Sequence, residues 1–165
     1  MIKLLFHEIR VRRGAIIGWT IGLGFFSIMY MSFYPALPPE FLEFALEEIE
    51  IYQAMGVMSM VTFEGYMLST VWNFLALLAG IFGIVIGIGA LAGEEDSGTL
   101  ELLASLPLSR LQLFLAKAAA LAMVVLLVMV LVGVAVVVAF MAIQSQFETA
   151  VTPTDLFLVT LSHWL

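Results

Sequence analysis

The 165-residue sequence has no cysteine, which removes disulfides, thiolate metal sites and cysteine nucleophiles together. Charge is almost as scarce. Only 12% of residues are charged, against 63% that are hydrophobic. Soluble domains average about 25% charged and about 45–50% apolar, so a water-dispersed globule is excluded. The two histidines, His7 and His163, stand near opposite ends of the chain and form no ligand pair. No HExxH, GxSxG or Walker-type loop occurs. No catalytic, cofactor-binding or metal-binding residue is therefore assigned, and the chain is not expected to hydrolyse ATP itself. With a formal net charge of −7, nucleic acid is not an expected partner.

What the sequence does have is three uncharged runs, residues 14–34, 65–93 and 118–147, of 21, 29 and 30 residues. At about 1.5 Å rise per residue, roughly 20 apolar residues cross a hydrocarbon core of about 30 Å. Buried helices of soluble cores rarely exceed about 20 residues and do not recur three times in so short a chain. The runs predict three membrane spans. The first cannot be a cleavable signal, because it is too long for an h-region and leads into Tyr-Pro-Ala-Leu-Pro-Pro, not a small-x-small site.

All six basic residues fall in two places: Lys3, Arg10, Arg12 and Arg13 before the first run, and Arg110 and Lys117 before the third. Residues 35–64 carry six glutamates and no Lys or Arg. The positive-inside rule puts the N-terminus and the 94–117 connection in the cytoplasm and residues 35–64 outside. Residues 1–13 read as an amphipathic interfacial helix on membrane lipid, with Ile2, Leu5, Phe6 and Ile9 opposite Lys3, His7 and Arg10. Residues 39–55 form a second amphipathic stretch, with Leu42, Ala45, Leu46, Ile49 and Tyr52 opposite a solvated face of Glu43, Glu47 and Glu50.

Thr152-Pro153-Thr154-Asp155 is a helix start, with a cap, a proline at the first position and an acid in the first turn. Residues 156–165 then supply about 15 Å of helix, too little to cross. They read as the start of a fourth span, and the chain as the N-terminal part of a longer protein. The expected fold is thus all-α: one polytopic helical membrane domain over 1–165, with an interfacial helix, three complete spans, a cytoplasmic helical insert and the beginning of a fourth span. Gly14, Gly18 and Gly22 recur at every fourth position, as do Gly83 and Gly87. Small residues so spaced allow close helix packing in lipid, within the chain or with a second copy.

No complete span carries a charge at its middle, whereas ion-coupled transporters usually need intramembrane acids, lysines or histidines. The densest charge lies instead in residues 94–110, between two charge-free runs. Local signals resolve this insert into a short helix. Gly93 ends the second span, Asp96 or Ser97 caps the new helix, and its acids occupy the N-terminal end that the dipole favours. Leu100, Leu102, Leu103 and Leu106 give it an apolar body, and Pro107 stops it. Ser109 to Gln112 then forms a capping box for the helix leading through Lys117 into the third span.

The segment "EEDSGTLELLASLPLSRLQLFLAK", with a basic amphipathic start running into "RRGAIIGWTIGLG", resembles the type-two permease subunits of ATP-binding-cassette transporters. The likeness extends from residue 1 to about residue 147. It implies that Glu94, Glu95, Asp96, Gly98, Thr99, Glu101, Leu102, Leu103, Leu106, Pro107 and Arg110 form a coupling helix docked on a cytoplasmic ATPase. It further implies an exporter of the cell membrane that works with a second permease copy, with ATP and magnesium held by the partner ATPase. The competing readings are a secondary transporter or channel subunit, and an ABC permease that transmits mechanical signals without transport. The charge asymmetry makes a direct prediction in this cysteine-free chain. Glu47→Cys should react with a membrane-impermeant thiol reagent on intact cells, and Ser97→Cys should react only after permeabilisation. The reverse pattern overturns the orientation.

Overall fold

A computed structural model describes residues 9–38, 40, 62–96 and 110–164. The interfacial helix up to residue 8, nearly all of the amphipathic stretch 39–55 and the insert 97–109 lie outside the described residues. Every regular element among the described residues is helical. In hydrocarbon a peptide group finds no water to bond, so its N–H and C=O must be satisfied within the segment.

Helix α1 is Arg13–Phe33, followed by a 3-10 turn at Tyr34–Ala36. Pro35 opens that turn, and Leu37 is already extended, as befits the residue before Pro38. Helix α2, Phe63–Met67, starts where the Thr62 hydroxyl accepts the Gly65 N–H at 3.2 Å, with Glu64 in the first turn. A π-helical turn, Leu68–Trp72, joins it to α3, Asn73–Asp96. Helix α4, Arg110–Ile143, runs for 34 residues, and α5 is Pro153–Ser162. Its start is a reciprocal cap: the Thr152 hydroxyl accepts the Asp155 N–H, while the Asp155 carboxylate accepts the Thr152 N–H and hydroxyl. Those two bonds hold the Asp155 carboxyl below its ordinary pKa. Three stretches, Arg13–Ala36, Phe63–Ala90 and Phe114–Gln146, are long and apolar enough to cross a membrane. Helix α5 alone is not, and the fourth span remains an expectation.

Helix α4 is the centre of the bundle, with α1 and α5 packed most extensively on it and α3 alongside. Its buried stripe, Val124, Val128, Val132, Val136 and Phe140, recurs at every fourth residue, the spacing that stacks side chains on one face. Leu75, Ala79, Phe82 and Ile86 of α3 and Ile16, Leu23 and Met31 of α1 complete the core. The outward faces are as apolar as the inward ones: Ile17, Ile21, Phe25, Ile84, Ile88, Val134 and Val138 are all exposed. A helix apolar all round suits a lipid solvent. Association then rests on close packing, since lipid tails are as apolar as the side chains.

That packing uses different glycines from those the four-residue spacing suggests. A Cβ built at Gly14, Gly18, Gly22, Gly83 or Gly87 meets nothing within 4 Å, so none of these mediates a helix contact among the described residues. Gly24 does, where a Cβ would lie 3.8 Å from that of Ala135. Gly133 is tighter, with a Cβ position 3.0 Å from the Phe157 ring. Thus α1 approaches α4 through Gly24, and α5 approaches it through Gly133. The indole N–H of Trp164 adds a 2.8 Å bond to the Ala122 carbonyl on α4.

At the end where α1 finishes, Tyr34, Phe63, Tyr66, Phe140 and Phe147 form a continuous ring cluster with centroids 4.8–6.4 Å apart. Tyr66 also donates to the Tyr30 carbonyl at 2.9 Å. Above the rings, Glu64 Oε1 accepts from the Thr149 hydroxyl at 2.9 Å and the Ala150 N–H at 3.3 Å. This end therefore ties α1, α2 and α4 to the loop before α5.

Two predictions follow from these contacts. Gly133→Val should destabilise the α4–α5 pair by about 1–3 kcal/mol through overpacking, and Phe157→Ala in the same chain should recover part of it. Strict additivity of the two losses, measured by denaturation in mixed micelles, would show that the ring is not the obstacle. At the other contact, a double-mutant cycle between Glu64→Ala and Thr149→Val should give a coupling of about 0.5–1.5 kcal/mol. A coupling of zero refutes the clamp.

Candidate coupling site

Between residues 94 and 110 the structure fixes both ends of the charged insert. Helix α3 does not stop at Gly93 but continues through Asp96. Glu94, Glu95 and Asp96 thus belong to α3. This corrects the sequence expectation, and the reason is local. A glycine weakens a helix interior by only about 1 kcal/mol, too little to end a helix already 20 residues long. Arg110 is the first residue of α4, as the reading of a helix leading through Lys117 anticipates. Gly98, Thr99, Glu101, Leu102, Leu103, Leu106 and Pro107 lie outside the described residues.

Two cations lie against this stretch of α3. Lys117 is only 7% exposed, and its ammonium donates to the Ala90 carbonyl at 3.5 Å. On the neighbouring residue, a Cβ at Gly89 would sit 3.5 Å from Arg12 Nη1. Cations from the start of α1 and from the second turn of α4 thus flank adjacent residues of α3.

The Lys117–Ala90 contact also sets the register of the antiparallel pair. Asp96 lies six residues beyond Ala90, and Arg110 seven before Lys117. These separations are roughly 9 Å and roughly 10 Å of helix, so Asp96 and Arg110 stand at nearly the same level; residues 97–109 between them lie outside the described residues.

Elsewhere the bundle offers little chemistry. Among the described residues, no group of three or more His, Asp or Glu side chains could hold a metal ion. A groove of about 710 Å³ opens between α3, α4 and the end of α5, walled by Ala76, Ala79, Gly80, Gly83, Ala122 and Val125, with Ser162, His163 and Trp164 at its end. His163 Nδ1 lies 2.7 Å from the Val159 carbonyl, which can only accept, so that nitrogen carries the proton. The groove thus presents small apolar walls and no Asp, Glu, Lys or Arg side chain.

Sequence reasoning missed Glu64 as a clamp, because its partners are 85 and 86 residues away. It also took Arg12 and Lys117 as topology markers only. The signal for Lys117 is present in the sequence. It is flanked on both sides by apolar and small residues, 113–116 and 118–121, so it belongs to the apolar helix and needs a partner there.

Comparison with known proteins accords with this arrangement. The profile of the ABC-2 family of transporter proteins matches residues 2–165. A segment of 54 residues is 39% identical to the uncharacterized protein YhcI of Bacillus subtilis (strain 168), covering 29% of this chain and 17% of that protein. No solved structure matches the chain. With three apolar spans and a family match from residue 2 to residue 165, the chain belongs to the ABC-2 transporter family and is a membrane permease component of it.

Proposed function

We propose that this permease exports its substrate by coupling to a separate cytoplasmic ATPase, which docks on the insert 97–109 and the charged helix ends that carry it. The observation that carries this reading is the match to the ABC-2 transporter family over residues 2–165, taken with the dense charge of residues 94–110 between two charge-free apolar runs. The basic residues at this end favour its placement in the cytoplasm, where an ATPase holding ATP and magnesium would reach it.

In this reading Leu102, Leu103 and Leu106 supply the apolar area that fills a cleft on the ATPase. Glu94, Glu95, Asp96, Glu101 and Arg110 set register and association rate. Gly98 and Pro107 bound the docking segment, and Thr99 lies within it. A second permease copy completes the membrane pathway, and the open faces at Gly14, Gly18, Gly22, Gly83 and Gly87 have room for a close helix partner.

Leu103→Glu should weaken ATPase binding by at least about 30-fold, the scale of a buried hot spot, while membrane insertion is retained. Reversing Glu94, Glu95 and Asp96 to lysine should slow association, with an effect that shrinks as salt is raised. Both are read by co-purification and by binding kinetics with the ATPase encoded beside this gene. Wild-type binding and transport in both variants would reduce the insert to a connector.

A further inference from the structure

We propose that Arg12 and Lys117 are positioning residues for energy coupling: together they clasp the last turns of α3, so that a displacement of the 97–109 connection moves α1 as well as α3 and α4. The inference rests on the coupling reading above and adds to it the route by which movement reaches the first span.

The geometry is specific. A lysine two turns inside an apolar helix ordinarily extends its stem along the helix and lifts its ammonium to the interface. Lys117 instead crosses to the Ala90 carbonyl and is almost fully covered. Arg12 precedes the first residue of α1, and its Nη1 lies 3.5 Å from where a Cβ at position 89 would stand, in van der Waals contact with that position. Gly89 and Ala90 are consecutive, so the two cations grip one point of α3 from two different helices. That point is six residues from the end of α3 and seven from the start of α4, within two turns of where the insert is attached. Helix α1 packs far more extensively on α4 than on α3, so the Arg12 contact gives α3 a direct hold on α1 at this end.

Three variants separate its parts. Lys117→Met removes the charge at similar volume, Lys117→Arg keeps it, and Gly89→Val fills the seat of Arg12 while leaving every charge in place. Each is made in the full chain, reconstituted in lipid nanodiscs with and without the ATPase. Hydrogen exchange of the amides over 89–96, together with transport per ATP hydrolysed, is the readout. In Lys117→Met and in Gly89→Val, exchange should rise at least about tenfold and transport per ATP should fall at least fivefold. ATPase co-purification should stay within twofold of wild type, and Lys117→Arg should stay near wild type throughout. The double variant Lys117→Met/Gly89→Val should be no worse than the worse single one, since both disable one device.

Unchanged exchange in Lys117→Met overturns the clasp, and so does faster exchange with transport per ATP at the wild-type level. Should Lys117→Met fail to insert, Gly89→Val decides by the same two measurements. If the wild-type chain binds no ATPase, the coupling reading fails and the role assigned to Arg12 and Lys117 fails with it; exchange then reports the contact alone.

Discussion

Hydrocarbon offers a peptide group no hydrogen-bond partner, and the architecture is a consequence of that. Each crossing segment must satisfy its own backbone, so it is a helix. Each helix is already apolar on its lipid side, so burying its other face gains little from leaving water. What remains is contact. The valine stripe of α4 presents a smooth ridge, and Gly24 and Gly133 remove the side chains that would hold α1 and α5 away from it. Charged groups are confined to the helix ends for the same reason.

The two ends of the bundle meet this constraint differently. At one, the rings of Tyr34, Phe63, Tyr66, Phe140 and Phe147 interlock across α1, α2 and α4, and Glu64 ties the following loop over them. Aromatic rings join apolar bulk to preferred edge-on and tilted geometries, which suits a fixed junction near the membrane surface. At the other end the described contacts are polar, with two cations on one stretch of α3, one of them bonded to a backbone carbonyl. Such contacts hold register, yet they depend on local charge and so respond to whatever docks beside them.

Much of this was legible in the sequence, and the parts that were not have physical reasons. Run length alone identified the three spans, because the membrane sets a length that soluble helices rarely need. Thr152 to Asp155 announced its helix start, since a cap is a local device with a local signature. Helix α3 runs on past Gly93 to Asp96, because one glycine is a weak stop against twenty preceding residues of helix. The π-helical turn at Leu68–Trp72 had no proline, glycine or charge to mark it. The glycine spacing gave a face but not which way it turned, and the working glycines lay elsewhere. Glu64 and the ring cluster join residues distant in sequence, and periodicity carries no information about such pairs.

These ties bear on how movement could pass through the molecule. Helix α4 is about 51 Å long, longer than the hydrocarbon it crosses, and it is held at two points. Lys117 fixes it to α3 near its start, and Phe140 holds it in the ring cluster near its finish. A push delivered at Arg110 therefore acts on an arm of only about 10 Å before the first tie. Beyond Lys117 the helix cannot swing alone without breaking the aromatic end. Helix α1 joins the aromatic junction through Tyr34, whereas α3 contributes no ring to it. The π-helical turn, where the α-helical hydrogen-bond ladder is interrupted, is the place where α3 can yield relative to that junction.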